Sequence, residues 1–479
     1  MNFSKRLIFT LFTFFIPGLA FSQNAELIDG KILSKKQLTE DYSVLYSSLI
    51  NYHPAPFLYT SETDFKEYFQ RQESLLPDSL SEREFYIIAK SLVTMVKCGH
   101  TDLSVSDSWN NAIANKSLLL PFEVYCVDEK VFVKNTSEDE VKELEINNEI
   151  VSINNESVAD ILHQMYAIQS RDGNTLSYVR EAVARNFRIY YLYLYGYQNE
   201  FLIEYVSSSG EIKTTTVKSL TKRLKEIPRP ALLNSFKIIY SNDWSVFATD
   251  SINNLAYLQI KSFLNRKDFK EYYKETFLHL QKHPNLQLII DVRNNSGGYY
   301  GNGNTLLSYL TPSKFEFNFQ KPKGKTEKNK YAKLDKWNKL TKFAFSMKPG
   351  KHKVKGQRME TFTFKPKKPY YSGKVNVITN GITFSQAALF ASHLKAYGAI
   401  FYGTETGGTE SGTNAMLNYK VILPNSGFKA SIAHYQVISN SSKGEFGFGV
   451  KPNFEIKPDY TITEDNILLE VMNIISANK

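Results

Sequence analysis

The chain has 479 residues, of which 42% are hydrophobic and 14% aromatic, enough apolar material for a packed core and too much for an intrinsically disordered protein. At that length two or three domains are expected. The formal net charge of +10 is unevenly spread: between Lys321 and Lys368, seventeen Lys and Arg stand against three acids, a local balance of +14 that leaves the remainder at about −4. That stretch matches no nucleic-acid-binding pattern, so it reads as a solvated basic insertion, and nucleic acid is not expected as a partner.

In chain order, residues 1–22 come first. Lys5 and Arg6 precede the apolar run "LIFTLFTFFIPGLA", and Ala20-Phe21-Ser22 places small residues at a cleavage position. This reads as a signal peptide, so the mature protein is expected to be exported, either periplasmic or secreted. No cysteine follows for a lipid anchor, and no later stretch approaches about 18 uninterrupted apolar residues, so no integral membrane span is expected. Cys98 and Cys126 are too few for a disulfide scaffold and are not spaced as metal ligands. They read as free buried thiols, with a single bridge left open.

Residues 23–107 read as a helical module. Leu38, Tyr42, Leu45 and Leu49 recur at near-helical spacing, and Ser61 and Ser81 precede two further amphipathic runs as expected N-caps. Residues 108–222 change character. "FEVYCV", "KVFVKN", "EIVSIN", "FLIEYV" and "KTTTVK" are strand-like, with "SVADILHQMY" as a helix among them. The run "INNEIVSINNESVADIL" resembles a PDZ segment in which Asn147 and Asn155 stand where glycines are usual; both tolerate a left-handed backbone. A module of that kind binds peptide termini by adding a strand to its sheet. A β-domain with only a packing role is the plainer alternative. From residue 223 to 479 strands and helices alternate as in an α/β core, with a basic insertion at 311–372.

Two stretches of that core invite chemistry. After the buried strand "LQLIIDVR" comes "NNSGGYYGNGN", with Gly297 and Gly298 able to turn tightly and present N–H groups to an oxyanion. It is neither a phosphate loop nor a dinucleotide fingerprint. In "VNVITNGITFSQAALFASHLKAYG", a strand passes through Asn380-Gly381 into a helix, and Ser385 sits at the junction. A serine there is ordinarily a cap, worth roughly 1 kcal/mol; as a nucleophile it needs a base. His393 and Lys395 lie roughly 12 and 15 Å along the same helix and cannot serve. His53 reads as a turn residue and His434 as part of a strand, whereas His100, beside Gly99 and directly after the third helix, can enter a cleft.

Taken together, "GHT" at Gly99–Thr101, "IIDVRNNSGG" at Ile289–Gly298, "NGITFSQAALFASHLKAYGAIFYGTETGG" at Asn380–Gly408 and "GVKPNFEIKPD" at Gly449–Asp459 resemble the S41 family of serine peptidases, the tail-specific or C-terminal-processing group. The resemblance implies a multidomain α/β protein: a crotonase-like (ClpP/crotonase) protease core with an N-terminal helical module and a PDZ-like module. It departs at Asn453, where the family pattern has Asp. One branch uses a lysine after a "T-x-G-K" turn; here "ETGGTESG" has none, and Glu410 stands near its place. The other, tricorn-core-like branch uses a histidine, and this chain is similar to it. That implies Ser385 as nucleophile, His100 as general base and Glu445 as the group holding the imidazole, with Glu410 and Asp102 as rivals for the last role. Tricorn-like proteins carry a serine before the histidine, and Gly99 replaces it here. Gln386 N–H with one from Gly297 or Gly298 would receive the oxyanion. The implied activity is an exported serine endopeptidase acting on unfolded or C-terminally exposed polypeptide through an acyl-enzyme, without metal or organic cofactor. The alternatives are an inactive peptide-binding protein of the same fold, or hydrolysis of a non-peptide ester or amide. The basic insertion, lying between the oxyanion loop and the nucleophile, is expected to act as a lid.

Overall fold

Three helices form where apolar residues recur ahead of residue 97: Lys35–Tyr52, Glu62–Ser74 and Glu82–Thr94. In the computed structural model, which describes residues 29–116, 119–136, 141, 143–220, 224, 232–320, 329–335, 339, 351–354, 357–439, 444–462 and 464–478, two of these helices begin on the expected serines. Ser61 Oγ accepts from Asp64 N–H at 3.1 Å. Ser81 Oγ accepts from Glu84 N–H at 3.3 Å while the Glu84 carboxylate accepts from Ser81 N–H at 2.9 Å, a reciprocal cap. The expected leader at 1–22 lies outside the described residues.

The apolar faces of these helices meet one another, Tyr42 stacking on Phe69 at 5.2 Å, and also a segment from far along the chain. Leu38, Leu45, Phe85 and Leu92 share a core with Val421, Phe428 and Ile432, from the hairpin of strands Tyr419–Ile422 and Lys429–Ile432. A short strand not foreseen from the sequence, Asp102–Ser104, adds antiparallel to Lys429–Ile432. The backbone immediately after His100 is therefore stitched to a segment more than three hundred positions later. Asp41, fully buried on the first helix, secures the same hairpin by accepting from Asn425 N–H at 2.9 Å and Ser426 N–H at 2.7 Å. A helix at Asp107–Lys116, also unforeseen, follows.

The β-rich region is an antiparallel sheet in the order Phe122–Val127, Lys130–Thr136, Glu149–Ile153, Glu200–Val206, Ile212–Lys218, with a bridge between Leu119 and Leu220 at its base. The strands fall where alternation placed them. Asn147 and Asn155 adopt φ of 73° and 65°, the left-handed turns their side chains tolerate. The sequence reading missed one large element here, the 20-residue helix Leu176–Tyr195. Its second half, "NFRIYYLYLY", is dense in residues that favour strands, and packing overrides that preference. Helix Leu176–Tyr195 and helix Val158–Ala167 bury Val179, Val183 and Phe187 with Ile161 and Met165 against the sheet.

The core is a seven-stranded sheet in the order Lys237–Ser241, Ser245–Asp250, Leu255–Ile260, Gln287–Asp291, Val375–Thr379, Ile400–Gly403, Phe454–Glu455. The first two pairings are antiparallel and the rest parallel. Strands covered on both faces read as near-continuous apolar runs. Leu288 and Ile290 pack under helices Phe269–Lys282, Tyr300–Ser308 and Gln386–Ala396, whereas Ile289 faces helix Asn466–Ala477. A second antiparallel sheet runs Lys351–Val354, Gln357–Phe364, Phe315–Gln320, Tyr435–Ser439, Gly412–Ala415. The described end of the basic insertion is thus a hairpin built into this sheet, and Ala332–Lys333 pairs with Tyr419–Ile422. Position alone suggested a lid; the described parts of the stretch are paired strands, and residues 321–328 and 340–350 lie outside the described residues. Among the described residues no helix is long and apolar enough to cross a membrane.

Asp41 supplies a test of how the N-terminal helices are held. Asp41→Ala leaves the buried Ser426 N–H and the half-buried Asn425 N–H without this acceptor and should cost about 2–4 kcal/mol, read as a lower urea midpoint at unchanged slope. An unchanged midpoint would show that the hairpin turn is held by packing alone.

Candidate active site

Strand Val375–Thr379 ends beneath a turn, and helix Gln386–Ala396 begins after it; Ser385 sits between with φ 53° and ψ −124°. This backbone region is strained for a residue with a side chain, at roughly 1–3 kcal/mol, and persists only where its surroundings enforce it. Here Asn380 N–H donates to Thr383 Oγ1 at 3.0 Å, Thr383 Oγ1 donates to the Val292 carbonyl at 2.9 Å, and Phe384 N–H donates to the Asn295 carbonyl at 3.0 Å. The ordinary role of a serine at a helix start is not played: Ser385 makes no side-chain cap. Its Oγ lies 2.9 Å from His100 Nε2 instead.

His100 reaches that point from a tight turn. Lys97 adopts φ 51° and its carbonyl accepts from Gly173 N–H at 3.0 Å, while Thr101 N–H donates to the Cys98 carbonyl at 3.1 Å. The imidazole stacks on Phe384 at 4.9 Å between centroids, and Phe384 stacks in turn on Tyr178 at 4.7 Å. Gly99 has a steric reason: a Cβ there would lie 2.6 Å from Phe384 Cζ. A serine before the histidine therefore cannot fit against this ring as it is placed.

The other edge of the ring meets Thr413, on strand Gly412–Ala415, with Oγ1 3.2 Å from His100 Nδ1. Thr413 Oγ1 also donates to Asp172 Oδ2 at 2.7 Å, and Asp172 Oδ1 accepts from Gly99 N–H at 2.7 Å. A hydroxyl has one proton, and an ionised carboxylate can only accept it. Thr413 must then accept from Nδ1–H, which leaves Nε2 unprotonated and facing the serine hydroxyl. Burial pushes the His100 pKa below its ordinary 6.5, opposed by the negative charge of Asp172. Burial raises the Asp172 carboxyl, opposed by His100, Thr413 and Gly99.

The residue expected to hold the imidazole is not there. Glu445 is exposed and pairs with Lys451 at 3.0 Å, so its turn points the carboxylate to solvent. Glu410 is buried, but its oxygens face Gly444 N–H at 2.9 Å and Lys395 at 3.5 Å, near the far end of the serine helix. Asp102 pairs with Lys90 and accepts from Ser170 Oγ at 2.9 Å. Asp172 and Thr413 were missed because nothing local marks them. "SRDGN" reads as a turn and "ESGTNA" as the start of a strand, and their contacts span 73, 241 and 313 positions. His393 is buried with Nδ1 at 3.0 Å from the Leu389 carbonyl, His53 Nδ1 accepts from Ala55 N–H at 3.2 Å, and His434 Nδ1 lies 2.9 Å from the Tyr52 carbonyl.

The glycine loop lies against the serine. A Cβ on Gly297 would stand 2.7 Å from Ser385 Cβ and 2.8 Å from Gln386 N, so glycine keeps open the space beside the first helical amide. Gly297 N–H, however, donates to Asn295 Oδ1 at 2.9 Å. Of the two glycine donors expected, Gly298 is the one whose N–H meets no acceptor among the described residues, and Gln386 N–H likewise meets none. Both cysteines are free, and among the described residues no group of three or more His, Cys, Asp or Glu is arranged to hold a metal ion.

The sequence matches the model of Peptidase family S41 over residues 254–456 and a PDZ domain model over residues 116–226. A search of curated proteins returns no match. Among solved structures, mature CPAF aligns with TM-score 0.62 at 15% identity, covering 92% of this chain and 96% of that one. Mature CPAF complexed with lactacystin gives 0.64 at 14% identity, covering 93% and 97%, and the s499a mutant of CPAF 0.64 at 14%, covering 92% and 96%. At such identities the likeness is one of fold.

The electrostatics can be checked without turnover. An NMR titration of His100 should show a midpoint below 6.5, because burial outweighs the nearby carboxylate. Asp172→Asn removes the charge that favours the imidazolium and should move the midpoint lower still. A midpoint that rises in that variant would remove Asp172 from the pair.

Proposed function

The chain belongs to peptidase family S41 and is a peptidase, and we propose that it is an exported serine endopeptidase that cuts unfolded or C-terminally exposed polypeptide. The observation carrying this reading is the 2.9 Å contact between Ser385 Oγ and His100 Nε2 at a strained strand-to-helix turn. In the proposed reaction, Ser385 Oγ attacks the scissile carbonyl while His100 Nε2 takes its proton. The tetrahedral oxyanion is received by the N–H groups of Gln386 and Gly298, at the positive end of helix Gln386–Ala396. His100 then gives the proton to the leaving amine, and water hydrolyses the acyl-enzyme by the reverse sequence. Thr413 and Asp172 hold the tautomer and stabilise the imidazolium, the part first assigned to Glu445.

The PDZ match supports presentation of a peptide segment to the core. Export rests on the basic-then-apolar run of residues 1–22. N-terminal sequencing of exported protein should begin just past Ser22; an intact Met1 in that fraction would count against it.

Ser385→Ala should abolish peptide hydrolysis and labelling by a serine-directed phosphonate. Asp172→Asn should lower kcat by about 10³–10⁴, near the effect of losing a direct carboxylate. Glu445→Ala should leave kcat within about twofold, since a solvent ion pair is worth little. Activity should rise with pH through the depressed His100 midpoint, because only the neutral ring accepts the proton. A peptide-binding protein without catalysis would never acylate, whatever the pH; labelling without cleavage of any unfolded protein would point to another ester or amide substrate.

A further inference from the structure

The helix missing from the sequence reading, Leu176–Tyr195, touches both catalytic loops through one stripe of its surface. Residues 177, 181 and 185 recur every four positions and so share a face. At the first, the backbone is in direct contact with the serine loop: a Cβ on Gly381 would lie 2.2 Å from the Ser177 carbonyl. At the second, Glu181 Oε1 accepts from Gly381 N–H at 2.8 Å, and Oε2 accepts from Asn380 Nδ2 at 2.9 Å. At the third, Arg185 donates to Asn294 Oδ1 and lies 3.5 Å from Glu181. Asn380 closes the circuit. Its Oδ1 accepts from Asn294 N–H at 2.9 Å and from Ile382 N–H at 3.2 Å, and its Nδ2 donates to Asn294 Oδ1 at 2.9 Å.

Asn380 and Gly381 open the turn that ends in Ser385, while Asn294, at φ 63°, opens the turn that ends in Gly297 and Gly298. The two turns approach each other at their bases through these few polar groups. We propose that Glu181 is a positioning residue for hydrolysis: from the β-rich module it clamps the Asn380–Gly381 turn against the Asn294 turn, and so fixes the distance between the nucleophile and the oxyanion donors. This inference rests on Ser385 being the nucleophile. Glu181 itself touches neither the serine nor the imidazole in any contact of the described residues. Its effect is exerted through the backbone on which Ser385 is strained, and small misplacement of a reacting atom can cost about 10²-fold in rate.

The test uses the full chain and two readouts, the second-order rate of labelling by a serine-directed fluorophosphonate and the steady-state hydrolysis of an unfolded protein. Glu181→Ala should slow labelling by about 10²-fold and lower kcat with KM within about twofold, at an unchanged circular dichroism spectrum. Glu181→Gln keeps an oxygen for Gly381 N–H and should recover at least tenfold of that loss. Asn380→Ala cuts the same clamp from the other side, so the double variant Glu181→Ala/Asn380→Ala should be little slower than either single one. Labelling of Glu181→Ala at the wild-type rate overturns the proposal, as does full additivity in the double variant. Should Glu181→Ala not fold, the same decision is read from Glu181→Gln and Asn380→Ala. A wild-type chain that is never labelled would instead overturn the nucleophile assignment, and with it this inference.

Discussion

The arrangement around Ser385 depends on one buried carboxylate. Asp172 accepts a backbone N–H from the N-terminal segment at Gly99 and a hydroxyl from the core at Thr413, while itself belonging to the β-rich region. A carboxylate enclosed in this way is tolerable only if its oxygens are satisfied, and both are. Three stretches far apart in the chain are thereby obliged to meet, and the imidazole lies where they do. If any one of the three is displaced, the carboxylate loses a donor and the ring loses its orientation together.

Routing the contact through a threonine changes what the carboxylate can do. A direct carboxylate–imidazole hydrogen bond would place the charge against Nδ1; here a hydroxyl intervenes, 3.2 Å from the ring and 2.7 Å from the acid. The charge acts from farther away, and burial, the larger influence, holds the ring's pKa below its ordinary value. A neutral ring is the form that accepts a proton. The hydroxyl also relays the requirement for an Nδ1–H tautomer, because its single proton is committed to Asp172.

What could be read in the sequence follows from how far the relevant forces reach. Local signals placed Ser385 at a strand-to-helix junction, where a cap is the ordinary reading, and His100 at a bend beside Gly99; only the resemblance to family S41 implied that the two act together. Asn147 and Asn155 declared their left-handed turns by residue type alone. Asp172 and Thr413 gave no such sign, since each is an ordinary turn or strand residue until the fold brings it to the ring. Glu445 was named from its place in a motif; the ion pair with Lys451 that turns it outward depends on the path of residues 444–451, which a motif does not encode. Gly297 was credited with a free amide that Asn295, two positions away, had already engaged.

Helix Leu176–Tyr195 shows the same limit at the scale of an element. Its tyrosines and isoleucine favour strands locally, yet the face carrying Ser177, Glu181 and Arg185 has partners only as a helix, at four-residue spacing. The opposite choice would bury Val179, Val183 and Phe187 on no sheet and leave the Asn380 and Asn294 turns without their acceptors and donors. Propensity of individual residues spans about 1 kcal/mol or less, whereas a buried apolar face and several charge-assisted hydrogen bonds together exceed it several-fold. The helix is therefore imposed by the same long-range contacts that build the site, and an element invisible to local pattern is the one that joins the β-rich module to the serine turn.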